Sequence, residues 1–127
     1  MTIRNIPRES WRAELDSFTR QHQGWLVSLT IRQPRGQEAI EARDLPLQGI
    51  SPTSPQSDDI AIVIGDRISH ITHEVHNPTS IDLDLTSDGV QRALVIRGED
   101  GTTASVEFRS PMRPEEVDGL PAPGRND

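Results

Sequence analysis

Hydrophobic positions recur at helical spacing near the start of the chain and at strand spacing after it. Trp11, Leu15, Phe18 and His22 fall at i, i+4, i+7 and i+11, which lines one face of a helix expected from about Pro7 to His22. Pro7 suits a first turn, where its missing N–H is no loss. Asn5 or Ile6 is the expected cap, and Gly24 the expected stop. Arg12–Asp16 and Asp16–Arg20 lie one turn apart on the wet side. An aromatic stripe of this kind reads as a face packed on a core.

From Gly24 the period becomes two. Trp25, Val27, Leu29 and Ile31 alternate with Leu26, Ser28, Thr30 and Arg32, a half-buried strand. Pro34-Arg35-Gly36 turns the chain and Glu38 to Leu45 returns it. Pro46, Gly49, Pro52 and Pro55, interspersed with serines, predict an irregular loop over 46–57 that is either a lid or merely mobile. Asp58 to Ile64 is apolar on both faces, as in a central strand. Gly65-Asp66 fits a two-residue hairpin turn. Ile68, Ile71 and Val75 do not keep one parity, so a β-bulge is expected near Ser69 or His70. Ile81, Leu83 and Leu85, then Gln91 to Arg97, then Ala104, Val106 and Phe108 complete the strands. Residues 115–127 read as a flexible Pro/Gly-rich tail after one globular domain over 1–114.

Hairpin connections without crossover helices mean an antiparallel sheet. The expected fold is therefore α+β. An N-terminal amphipathic helix packs on a strongly bent antiparallel sheet, or a small barrel, of six to seven strands. A two-sheet sandwich is the alternative.

Composition then excludes whole classes of chemistry. The chain has no cysteine, lysine or tyrosine, and all 13 basic residues are arginine. Thiolate catalysis, Cys-ligated metals, Schiff bases and a P-loop are ruled out. A net charge of −7 with scattered arginines argues against nucleic acid. The longest apolar runs, such as Ile60–Ile64, fall far short of the ~20 residues that span a bilayer. No signal-peptide pattern is visible, so a cytoplasmic location is expected.

Few residues point to chemistry. His70, His73 and His76 have a spacing that would share zinc on a helix, but on a strand they diverge. Neither a metal nor another cofactor is expected, and folding should not depend on one. Asp82 to Gly89 begins like a calcium loop, yet Ser87 and Ala93 stand where Gly and Glu are needed. In Asn77-Pro78-Thr79 the proline forbids glycosylation.

The segments Gly24-Trp25-Leu26-Val27, Ala42-Arg43-Asp44-Leu45-Pro46-Leu47 with Gly49-Ile50-Ser51, and Phe108-Arg109-Ser110-Pro111 together resemble a bacterial family of unknown function, DUF5335. His70, Thr72-His73, Asn77-Pro78 and Asp100-Gly101-Thr102 add to the likeness. The resemblance implies a small bacterial protein and brings no activity or ligand with it.

A non-enzymatic interaction or regulatory module is the leading expectation, with a protein or a small ligand as partner. Its candidate binding residues are Arg43, Asp44, His70, His73 and Asn77, polar where neither packing nor turn chemistry calls for them. The rival is a small metal-assisted or His-based hydrolase joining His70 or His73 to Asp66 or Asp82. An open sheet also predicts self-pairing into a homodimer through its outer strands.

Overall fold

The computed structural model describes residues 2–66 and 68–109. In chain order its elements are β1 Thr2–Asn5, a 3-10 turn at Arg8–Ser10, α1 Trp11–His22, β2 Leu26–Arg32, β3 Glu38–Pro52, β4 Ile60–Gly65, β5 His70–Val75, β6 Pro78–Leu85, β7 Gln91–Gly98 and β8 Thr103–Phe108. The fold is α+β, mostly antiparallel sheet with one short helix near the N-terminus. The tail expected at 115–127 lies outside the described residues. No helix among the described residues is long and apolar enough to cross a membrane.

The strands form one open eight-stranded sheet in the order β1-β6-β7-β8-β2-β3-β4-β5. This corrects the expected six or seven strands, and the barrel alternative with them. The additional strand is β1, whose four residues are all exposed. No alternation marks it in the sequence. It forms because β6 offers an edge, on which Thr2 to Asn5 pair with Leu85 to Asp82.

The helix is shorter at its start than its periodicity predicts. Pro7 is extended (φ −60°, ψ 145°), and a 3-10 turn precedes Trp11. Asn5 does not cap the helix; its side-chain amide donates to the Asp82 carboxylate at 2.9 Å. Asp16–Arg20 forms the expected one-turn ion pair at 3.2 Å. Arg12 instead donates to the carbonyls of Ser54, Pro55 and Ser57. Those bonds tie the helix to the β3–β4 connection.

The segment read as a loop over 46–57 is strand as far as Pro52, and only the short stretch before β4 is irregular. Its prolines and glycine do not end the strand, because β3 changes partner there. Residues up to Pro46 pair with β2, and those from Leu47 onward pair with β4. The register slips twice against β2 and once against β4, between Leu47 and Gly49. Each slip bends and twists a strand. Gly49 also lets α1 approach: a Cβ there would lie 3.2 Å from Thr19 Cγ2. Thr19 Oγ1 then both accepts from the Ile50 N–H and donates to the Ile50 carbonyl, at 3.0 and 3.1 Å.

This bending curls the whole sheet. In a flat sheet, six interstrand spacings of ~4.8 Å would hold β5 about 29 Å from β6. Only His76 and Asn77 join them, and a connection of that length reaches roughly 10 Å. The concave face carries the core, where Trp11, Leu15 and Phe18 of α1 meet Val27, Leu29, Ile50, Ile62, Leu94, Val106 and Phe108.

Candidate functional site

β5 is the outer strand at one end of the sheet. It pairs with β4 without interruption, from Gly65↔His70 to Ile60↔Val75. The bulge expected near Ser69 or His70 is therefore absent, because Ile68 precedes the strand and never belonged to its alternation. Ile71, His73 and Val75 face inward opposite Ile64, Ile62 and Ile60, while His70, Thr72 and Glu74 are exposed on the outer face. Burial pushes the His73 imidazole below its ordinary pKa, and the Glu41 carboxylate opposes that shift.

The direction of the backbone groups follows from the same ladder. Thr53 N–H donates to the Asp59 carbonyl, and Asp66 N–H to the Ser69 carbonyl. Antiparallel partners alternate between bonded and non-bonded pairs. Counting in twos, Ile71, His73 and Val75 turn their N–H and C=O groups toward β4. Those of His70, Thr72 and Glu74 point away from the sheet.

The pairing required for a His-based hydrolase does not form. One Asp66 oxygen accepts the N–H groups of Ile68 and Ser69, at 2.9 and 2.6 Å. Asp82 lies near the other end of the sheet, mostly buried, where it accepts from Asn5 and Arg97 at 2.9 and 2.6 Å. Among the described residues, no hydrogen bond or ion pair joins His70 or His73 to either carboxylate, and no group of three or more His, Asp or Glu side chains is placed to hold a metal ion.

Asp44 and Asn77 stand where they do for a backbone reason that sequence reading overlooked. They are the non-glycine residues with positive φ among the described residues, at 53° and 49°. Asp and Asn tolerate this left-handed conformation better than other side-chain-bearing residues. Asp44 lies in a register slip of β3, with its N–H on Ser28 Oγ at 3.1 Å. Asn77 makes the β5–β6 corner: its N–H donates to Asp59 Oδ1, and its carbonyl accepts from Glu99 N–H, both at 2.9 Å. Arg43 is exposed beside Asp44 without an ion pair to it among the described residues. The five candidates thus occupy three places: the β3 slip, the β5 edge and the corner after it.

One histidine environment was missed, and a second was read only as part of the packed helix face. His76 Nδ1 lies 3.0 Å from Asp59 Oδ2, and that hydrogen bond raises the His76 pKa and lowers that of Asp59. The β4–β5 register would have revealed the pair, since Ile60↔Val75 sets Asp59 against His76. His22 is completely buried against Phe18, Trp25 and Phe108, with ring centroids 4.4, 4.6 and 4.7 Å away. Its Nδ1 donates to the Phe18 carbonyl at 2.9 Å, and its Nε2 is buried without a partner among the described residues.

A shallow cleft of about 120 Å³ lies between α1 and β6–β7, where Leu15, Phe18 and Leu83 line it and Arg4–Glu14 pair at 3.3 Å. None of the five candidates lines it. A second, more open cleft of about 270 Å³ contains Asn77, Arg8, Asp58 and Glu99. Arg8 is already committed there to Asp58 and to the Pro78 carbonyl, and it stacks on Trp11.

Comparison with curated proteins found no match, and comparison with solved structures found none. The family model that matches covers residues 2–117, nearly the whole chain. On that match the chain belongs to the family of unknown function DUF5335.

Proposed function

We propose that the protein is a non-enzymatic interaction module that receives an extended segment of another polypeptide along β5. The observation that carries this reading is the outward row of backbone groups on His70, Thr72 and Glu74. Edge strands are normally guarded by Lys, Pro, a bulge or extreme shortness. β5 has six residues, no proline, no Lys or Arg and an unbroken ladder on its inner side. β1, the opposite edge, has only four residues. Strand addition draws affinity from main-chain bonds and specificity from alternate side chains. His70 and Glu74 are placed for the second role, with His73 on the inward face. A bacterial cytoplasmic setting belongs to this reading, supported by the absence of cysteine.

A displayed library of strand-forming heptapeptides, selected against the intact chain, tests it. Peptides that bind the natural protein and fail to bind a Thr72→Pro variant are the expected result. Peptides that bind both equally would remove β5 as the receiving edge.

A further inference from the structure

We propose that β5 pairs antiparallel with β5 of a second copy of this chain, about a two-fold axis at Thr72, to form a homodimer with one continuous sheet. The inference rests on the edge-interaction reading above and names the occupant.

Few registers are possible. Residues with outward backbone groups must meet one another in bonded pairs, which places the axis on a single residue of β5. An axis at His73 sets each Glu74 opposite Thr72 and each His70 opposite the second copy's His76, and one at Ile71 leaves Glu74 opposite Ile68, ahead of the strand. An axis between two residues sets an inward-facing side chain against an outward-facing one. An axis at Glu74 places two carboxylates face to face, and one at His70 leaves the second half of the strand unpaired. With the axis at Thr72, the strand pairs along its whole length. Thr72 meets Thr72, and each His70 stands opposite the second copy's Glu74 on the outer face.

That register is complementary in its side chains as well as in its backbone. Directly opposed residues in bonded pairs have Cα atoms about 5.5 Å apart, and a His70 ring N–H can donate there to the second copy's Glu74 carboxylate. The inner face brings Ile71 against the second copy's His73. Ile68, 96% exposed and just ahead of the strand, falls beside the second copy's His76. A six-residue strand pair buries far less than the roughly 1,200 Å² of a standard stable interface. The net charge of −7 on each copy adds repulsion that salt screens. The dimer is therefore weak, in exchange with monomer, and favoured by concentration and moderate salt.

Sedimentation velocity on the full chain, from about 10 µM to about 1 mM, tests the assembly. The natural sequence should shift from monomer to dimer across that range. Thr72→Pro should fold normally by circular dichroism, because proline is tolerated where the lost N–H faces away from the sheet. It removes both central N–H···O bonds and should weaken self-association roughly ten- to hundredfold. Should the proline variant misfold, Thr72→Glu sets two carboxylates on the axis and should give the same loss. His70→Glu should also weaken the dimer, and adding Glu74→Lys to it should restore association. A natural protein that stays monomeric at about 1 mM overturns the homodimer, as does a dimer indifferent to both Thr72 variants. Failure of Glu74→Lys to rescue overturns this register. A monomer that still binds selected peptides through Thr72 sinks the homodimer and leaves the edge reading standing.

Discussion

Replacing His22 by leucine should leave stability near neutral pH almost unchanged and make the protein more resistant to acid. His22 is fully buried among three aromatic rings, and one of its nitrogens has no partner. Leucine keeps most of the volume. It sacrifices the Nδ1–H bond to Phe18, about 0.5–1.5 kcal/mol, and removes the orphaned Nε2, which costs about 1–3 kcal/mol where it is buried. The three lost ring contacts, about 0.5–1.5 kcal/mol each, are offset by the larger transfer free energy of a buried leucine, about 1.5–3 kcal/mol, which brings the balance close to zero. His22→Ala, which leaves a cavity, should instead cost about 3–5 kcal/mol.

The acid response follows from the sign of the pKa shift. Burial lowers the His22 pKa, so the unfolded chain takes up a proton that the folded chain refuses. That stability is fully present above the unfolded value of about 6.5 and is lost as pH falls from there through the depressed folded value. The leucine variant escapes the loss. Between those two pKa values its advantage should grow by up to about 1.4 kcal/mol per pH unit. Urea melts of both proteins at intervals between about pH 7.5 and 5 give the measurement. Other titrating groups are common to both and cancel in the difference. Parallel stability curves across that range would refute the reasoning.

Four further outcomes follow from the same contacts. Asp44→Gly and Asn77→Gly should be neutral or stabilising, whereas valine at either position should cost about 1–2 kcal/mol in urea melts, because the left-handed backbone is what these sites require; a harmless valine would contradict that. His76→Ala should lower the melting temperature near pH 6, and the effect should fade as pH rises beyond the unfolded value of about 6.5, since a raised pKa gives stability that is complete below the unfolded value and lost as pH rises through the folded one. Gly49→Val should destabilise by about 1–3 kcal/mol by pressing on Thr19, with the same loss in Thr19-containing chains at any pH. A thermal melt with EDTA, and then with added zinc, calcium or manganese, should show one unchanged midpoint; a midpoint that falls with chelator and returns with one metal would reveal a site built from other groups.

The β4–β5 hairpin shows how a small misreading hides a contact. Gly65-Asp66 looks like a turn, and centring the hairpin there would set Asp59 opposite Thr72. The ladder is closed by Asp66 and Ser69 instead, so Asp59 meets His76. Moving the turn by two residues preserves which side chains face inward, and the core reading survives the error. It changes every cross-strand partner, and so the His76–Asp59 pair was missed.

Local pattern determined what local forces control. The period of 3.6 at Trp11, Leu15, Phe18 and His22 chose the buried face of α1, and the period of two chose the inward rows of β2, β4 and β8. Burial of apolar area acts on each residue separately, so its spacing can be read directly. Tertiary structure decided the rest. β1 has no pattern of its own and exists because β6 has a free edge. Pro46 and Gly49, breakers by rule, sit inside a strand because β3 changes partners there and α1 needs the space. Asp44 and Asn77 owe their identity to a backbone conformation imposed by register slips and corners between strands distant in sequence. Which backbone groups remain unpaired, and so where a partner can add, depends on the order of all eight strands, and no window of neighbouring residues contains that order.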